Sequence, residues 1–561
     1  CVYEDGKLAL FLCDRSALYT GEASVDQLTA TLAIFDPESG TLGTEWPVTS
    51  DNQMGVYNLR GFCSDGDKVY YQDGSRIMGI DPKNGEIKIA AYTGAGMYGG
   101  GGTTALCENG YYVTDGNSGL SAYLLNSPSL EKGALRIFGE TGSEAHQKFV
   151  KAHPEISVEA AGDYASDLET LTHAMVSDTN TYDVLFLSLN YMPVDRLLQK
   201  GYCADLTDDE ALMKAAKSMY PQFGEILMKD GRLYGLPVDA NAYTYSVNMN
   251  AWEALGLTED DLPKNLLDLM EFTANWVYDY ADDYSEYYLF DWLDQNSFFS
   301  SILSQYMTYI QKKEGKLVFN TPEFEALLQA FEDINFKELG KLYNENEAMD
   351  YEKILFQNYT TVLPLSQMQY LDENFKPLYL SVTEDEDPAL SVTSTVMIIN
   401  PKTTRMEEAR TYMEYYVTHL PKDEGAITFF QGTPEPVESP YYAAQKKQTE
   451  KYLADAKARL EKASEENKAA IRDEISSLED DLNYWEQNRY SITAERIQYY
   501  QQTMLPMLYV ERQNVLYSGN RTAMTEISTL INQYIEGAIP RDRLIRELEG
   551  RIRLMQLEDE I

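Results

Sequence analysis

At residue 132 the sequence changes its period. Upstream, apolar residues show no helical spacing; short runs such as Lys7–Leu12, Leu28–Phe35, Lys68–Gln72, Ile87–Tyr92 and Tyr111–Thr114 are separated by Gly, Asp and Pro and read as β-strands. Downstream, strands alternate with helices. Gly133–Gly139 is a buried strand, Ser143–Ala152 an amphipathic helix ending before Pro154, and Ile156–Gly162 a second strand. Helix Ser166–Ser177, strand Tyr182–Leu189 and a short helix over Val194–Gln199 follow. Periods of two and of about 3.6 demand different layer plans, so an all-β unit (1–132) and an α/β unit (133–561) are expected. The 561 residues leave ample length for several cores, at about 100–200 residues per domain.

The first unit repeats itself. Ile34–Leu42 (IFDPESGTL) recurs as Gly79–Ile87 (GIDPKNGEI), which sets Asp36 and Asp81 45 residues apart. Gly6, Gly66 and Gly110 open a second set of corresponding strands. In Asp-Pro-x-x-Gly, Pro presets φ, Asp accepts local backbone hydrogen bonds and Gly supplies positive φ, which makes a hairpin turn. The segment resembles the blades of a quinoprotein- or WD40-type β-propeller, of which 132 residues would make about three, fewer than the 4–8 that close a ring. GAGMYG (Gly94–Gly99) matches GxGxxG, but a strand follows where a phosphate-binding helix would have to begin, so it reads as a loop.

Charge excludes a class of partners. Ninety Asp and Glu against 46 Lys and Arg give −44, which repels nucleic acid and anionic membranes. At 44% hydrophobic residues the chain is not a disordered acidic tail, and it has no apolar run of 18 residues. Five Cys without a CxxC pair read as free, mostly buried thiols rather than a disulfide scaffold. His146, His153, His173 and His419 lack metal-ligand spacing, and neither GxSxG nor Walker A occurs. No catalytic residue, metal or cofactor is expected.

Several motifs of the second unit carry a family likeness. Asp230–Leu257 (DGRLYGLPVDANAYTYSVNMNAWEALGL) is similar to the crossover segment of family 1 extracellular solute-binding proteins of ABC transporters, through Gly231, Tyr234, Gly235, Pro237, Asn248 and Gly256–Leu257. Asp261–Phe272 resembles the helix start that follows. Gly315–Phe331 (GKLVFNTPEFEALLQAF) resembles the family's strand and helix, and Ser394–His419 its returning strand and Glu-Glu-Ala helix. Ile531–Glu560 resembles the C-terminal helical pair.

The resemblance implies a two-lobed α/β domain of the periplasmic-binding-protein type II kind, with ligand held in a cleft and a crossover near 237–245. Its expected role is the extracellular substrate-binding component of an ABC importer. It would capture a polar solute, an oligosaccharide above all, and hand it to membrane permease subunits without chemistry. A monomer anchored at the bacterial cell surface is expected, by a segment upstream or by lipidation of Cys1; the first rival is a surface sensor or adhesion module that binds a protein or glycan, and the second a glycan-active enzyme. Ligands of parallel sheets sit beyond strand carboxyl ends, which nominates Glu140, Tyr164, Asn190 and Tyr191. The crossover nominates Asp239, Asn241 and Tyr243. Flat aromatic faces suit sugar rings; Trp292 is the aromatic candidate, Trp276 the core one, and Gln367 and Gln431 are polar candidates. Residues 440–490 depart from the family as an insertion. Leu453, Ala456, Leu460 and Ala463, then Ile471, Ile475, Leu478, Leu482 and Trp485, follow heptad spacing and predict an antiparallel helical hairpin with a narrow apolar seam.

Overall fold

A computed structural model describes residues 1–16, 24, 27–50, 55–94, 103–116, 119–139, 142–160, 164–192, 194–342, 350–370, 375–512 and 521–560. The first unit is three successive antiparallel sheets. They comprise β1 (Leu8–Cys13), β2 (Ala30–Asp36) and β3 (Thr41–Val48); β4 (Arg60–Ser64), β5 (Val69–Asp73), β6 (Arg76–Ile80) and β7 (Ile87–Tyr92); and β8 (Thr104–Leu106), β9 (Tyr111–Gly116) and β10 (Gly119–Leu124). The repeated Asp-Pro-x-x-Gly closes two of the hairpins. Asp36 Oδ1 accepts from Glu38 N and Asp81 Oδ1 from Lys83 N, while Gly40 and Gly85 donate to the Asp carbonyls at φ 68° and 77°.

This unit sits on an edge of the second. The large sheet runs β12 (Val158–Ala160), β11 (Leu135–Phe138), β13 (Val184–Ser188), β20 (Leu390–Ile399), β16 (Leu236–Asn248), β18 (Ile354–Leu363) and β17 (Tyr288–Phe290). Beside edge strand β12, Ser75 Oγ donates to Ala160 O at 3.0 Å and Arg76 Nε to the buried Glu159 carboxylate at 2.8 Å, which Arg136 also reaches. An exposed edge is a template for unwanted pairing, and covering it removes the hazard. His146, fully buried, bridges the units through Tyr412 OH (2.8 Å) and the carbonyl of Gly94.

The α/β unit holds two hydrophobic cores. The first gathers β11–β13, β20 and the helices Glu144–Ala152 and Met406–Thr418; the second gathers helices Leu266–Asp279, Gln295–Glu314 and Pro322–Glu332 and the C-terminal pair Arg521–Ile535 and Arg541–Glu560. Strand β16, which follows the short hairpin of β14 (Met228–Lys229) and β15 (Arg232–Leu233), joins them: its first half pairs with β20, its second with β18 and β19 (Phe375–Leu378). Just before β16, a Cβ on Gly235 would lie 2.6 Å from Met397 O, so only glycine lets the strand approach β20. Strands β11–β13 are parallel as expected, but β20 and β16 make the sheet mixed. The family likeness of Gly315–Phe331 implies a strand ahead of its helix, yet Leu317–Asn320 forms no ladder: Glu549, on the last helix, takes the Phe319 and Asn320 amides instead.

Between strands β21 (Val437–Glu438) and β22 (Tyr490–Ile492), helices Tyr442–Lys462 and Glu465–Gln487 form the expected hairpin. It stands off the first lobe as an arm. Ala456 is fully buried, whereas Leu453, Leu460, Ile471, Ile475, Leu478, Leu482 and Trp485 are half-buried. The cysteines are free, yet only Cys63 and Cys203 are buried, fewer than the sequence suggested. Among the described residues no helix is long and apolar enough to cross a membrane.

Candidate functional site

A cavity of about 380 Å³ opens between the two cores, against the strands that join them. Such a volume lies at the small end for ligand sites. The first lobe contributes Asn190, Ser391, Thr393 and Glu511; the crossing strands contribute Asn241, Tyr243, Thr244, Asn358 and Tyr359. The opposite wall is one face of helix Gln295–Glu314, with Ser300, Ser301, Ser304, Gln305 and Thr308.

That helix is built to present them. Asp294 caps its start by accepting from Ser297 N, and Gly315 ends it at φ 70°. Phe298, Phe299, Ile302, Leu303, Tyr306 and Ile310 are buried in the second core, so the hydroxyls spaced three and four apart are left facing the cleft. Tyr245 OH donates to Ser301 Oγ at 2.8 Å and Thr308 Oγ1 to Ser304 O at 3.0 Å, which hold the row in place.

On the crossing strands, Tyr243 (47% exposed) and Tyr359 (65%) meet edge to face, with ring centroids 6.4 Å apart. Asn358 donates to Asp291 Oδ1 at 2.9 Å and to the carbonyl of Trp292. Asn190 Oδ1 is buried without a hydrogen-bond partner. A buried acceptor left open in a cleft is suited to a donor from a ligand. Tyr379 also lines the cleft, its hydroxyl pushed far up by burial, and its ring faces Tyr499 at 6.4 Å. Glu511 accepts from Ser391 Oγ and is the one charged side chain among the described residues lining the cavity.

Of the residues nominated by sequence, Asn190, Asn241 and Tyr243 line the cavity together. Asp239 lies just outside the lining, where Asn241 Nδ2 donates to it at 2.7 Å. Its carboxyl is open to solvent on one side but walled by protein on the others, and that burial raises its pKa against the pull of Thr395 and Asn241. Tyr191 is exposed beside Asn190, and Trp292 is 56% exposed at the rim, next to Asn358; neither lines the cavity. Gln367 is exposed on the turn Leu365–Tyr370, away from the lining. Gln431 is taken up structurally, its amide donating to Met219 O. Tyr164 opens helix Tyr164–Val176, while Glu140 and residues 95–99 of GAGMYG lie outside the described residues.

Sequence reasoning missed Ser300, Ser304, Thr308, Asn358, Tyr359 and Glu511. The Ser300–Ser304–Thr308 spacing was a signal: hydroxyls at every fourth residue opposite an apolar face. Glu511 left none, because it arrives through the parallel pairing of β23 (Leu508–Val510) with β20, more than a hundred residues away. Among the described residues no group of His, Cys, Asp and Glu could hold a metal ion.

Residues 144–419 match the family model described as bacterial extracellular solute-binding protein. No curated protein matches the sequence. Among solved structures, an ABC substrate-binding protein from Listeria monocytogenes in complex with cycloalternan is similar at 12% identity and TM-score 0.43, over 75% of this chain and 97% of that one. The sugar-binding protein MalE from Xanthomonas citri is similar at 13% identity and TM-score 0.47, over 76% and 98%. A protein studied in xylan utilization by Caldanaerobius polysaccharolyticus is similar at 11% identity and TM-score 0.48, over 75% and 100%.

Proposed function

We propose, from a chain whose residues 144–419 place it in the bacterial extracellular solute-binding protein family, that this protein binds a neutral saccharide in its interlobe cleft and delivers it to an ABC permease. The two-lobed α/β architecture is of the periplasmic-binding-protein type, and the family's role is binding rather than turnover. The protein works outside the membrane and is held at the cell surface.

The observation that carries the ligand class is the chemistry of the cleft wall. Hydroxyls and amides from both lobes surround two exposed tyrosine rings, with one carboxylate and no Lys or Arg among the described lining residues. Hydroxyl-rich rings satisfy such donors and acceptors and stack on aromatic faces, whereas an amino acid or peptide would need charged partners at its termini. Lobe closure about β16 and β18 would bury the ligand from both sides. Isothermal titration against neutral mono- and oligosaccharides, amino acids, short peptides and polyamines tests this. Saccharide binding without turnover is expected; binding of amino acids or peptides with no saccharide response would overturn it.

A further inference from the structure

We infer that Trp292 forms an outer sugar subsite at the mouth of the cleft, so that the protein takes an oligosaccharide longer than its cavity. The inference rests on the saccharide reading above and adds a chain length to it.

Three observations converge. Trp292 is the one exposed tryptophan of five: Trp252 and Trp276 are buried, Trp46 and Trp485 half-buried. The indole N–H of Trp46 donates to Pro82 O and that of Trp252 to Thr258 O, whereas that of Trp292 meets no acceptor among the described residues. A ring of this size left in water forgoes apolar contact, which stacking on a ligand supplies. The loop beneath it is anchored. Asp291 Oδ1 accepts from Trp292 N (3.0 Å), Asn358 N (3.1 Å) and Asn358 Nδ2 (2.9 Å), and Asp291 N donates to Phe356 O at 3.1 Å. A ligand that lands on this ring therefore has little backbone to order. The third observation is a β-bulge that links the ring to the cavity. Between the pairs Thr244–Thr360 and Ser246–Gln357, Tyr245 on β16 stands opposite two residues of β18, Asn358 and Tyr359. A bulge breaks strand alternation, and here both neighbours line the cavity. Tyr359 meets Tyr243 inside, while Asn358 donates to the Trp292 carbonyl at the rim. Aromatic surface thus runs from the paired tyrosines out to Trp292. The cavity, about 380 Å³, is small for a ligand site, so a sugar chain that follows this track extends beyond it.

The probes are malto-, cello-, xylo- and manno-oligosaccharides of graded length, from the monosaccharide to the hexasaccharide, titrated into the intact chain. In a series that binds, affinity should rise about fivefold or more from the shortest binder to the members that reach the rim, the worth of one stacking platform. Trp292→Ala should abolish that rise and leave the shortest binder near its unsubstituted affinity, because Trp292 does not line the cavity. Tyr359→Ala, inside the cavity, should instead weaken every member alike. A second readout needs no variant. Acrylamide quenching of tryptophan emission falls mainly on the exposed indole, so the longest binder should reduce it more than the shortest does. Affinity that is flat or falls with length, a rise that survives in a folded Trp292→Ala, or quenching that is the same with both ligands would overturn the outer subsite while keeping the saccharide reading. Binding of no neutral saccharide would overturn the saccharide reading, and the subsite with it.

Discussion

Tyr359 and Tyr243 show their rings to the cleft while their backbones sit in crossing strands, so removing a ring subtracts contact area without opening a core. Tyr359→Ala should weaken saccharide binding by about 1–3 kcal/mol, the worth of one aromatic stacking platform, and leave the melting temperature nearly unchanged. Titration calorimetry paired with thermal unfolding checks both halves. The two tryptophans separate in the opposite way. Trp276 is 1% exposed and stacked on Tyr280, so Trp276→Ala should cost about 3–5 kcal/mol of stability. Trp292, at the rim, should cost within about 0.5 kcal/mol when truncated, because exposed side chains leave no cavity behind. Any binding loss in Trp292→Ala would then report contact with a ligand that reaches beyond the cavity, and denaturant titration of the two variants makes the comparison direct.

Helix Gln295–Glu314 carries the hydroxyl row, and its last turn is tethered: Lys313 Nζ lies 2.8 Å from Glu386 and 3.2 Å from Glu323. The hydrogen bond from Lys313, then that from Tyr309, holds the Glu386 carboxyl below the usual range. A carboxyl with a depressed folded pKa binds fewer protons folded than unfolded near pH 4. Its contribution is therefore complete above the unfolded value of about 4.3 and is lost as pH falls through the lower folded value. Both side chains are about one-third exposed, so Glu386→Gln should cost no more than about 1 kcal/mol at pH 7, and the difference from the unsubstituted protein should shrink toward pH 3. Urea denaturation at pH 7, 5 and 3 reads this out. At this scale much was legible. The repeated Asp-Pro-x-x-Gly announces two hairpins, and the likeness of Gly315–Phe331 a helix, which Thr321 caps. What escaped came from distant partners that no local pattern encodes. Glu549 replaces a strand ladder at Phe319 and Asn320, and β23 brings Glu511 to the cleft by pairing with β20. Gln431 looked free in sequence and is occupied by Met219 O for the same reason.

The molecule is a two-lobed α/β domain with two additions on its first lobe, and they are attached differently. The β-unit is bound by buried polar contacts: Arg76 on Glu159, Ser75 on the Ala160 carbonyl, and His146 between Tyr412 and Gly94. It should move with that lobe as one body. The arm instead touches the lobe through its base, where β21 pairs with β22 and Ser439 N donates to Arg489 O at 2.8 Å. Its helices hold each other by a half-buried seam and by ion pairs such as Lys457–Glu479 at 2.8 Å, which is exposed and weak. Replacing 442–487 with a short Gly-Ser turn between the paired strands should therefore leave the melting temperature and saccharide affinity close to those of the intact chain. The route by which it could fail is specific. Beyond β22 the chain runs through helix Ala494–Tyr499, and the Tyr499 ring faces Tyr379 in the cleft wall. An affinity loss on excision, with unfolding unchanged, would mean that the arm sets the position of that helix. Tyr499→Phe in the intact chain would separate this route from a direct contact, because it leaves the arm in place and removes only the hydroxyl of the ring that faces Tyr379.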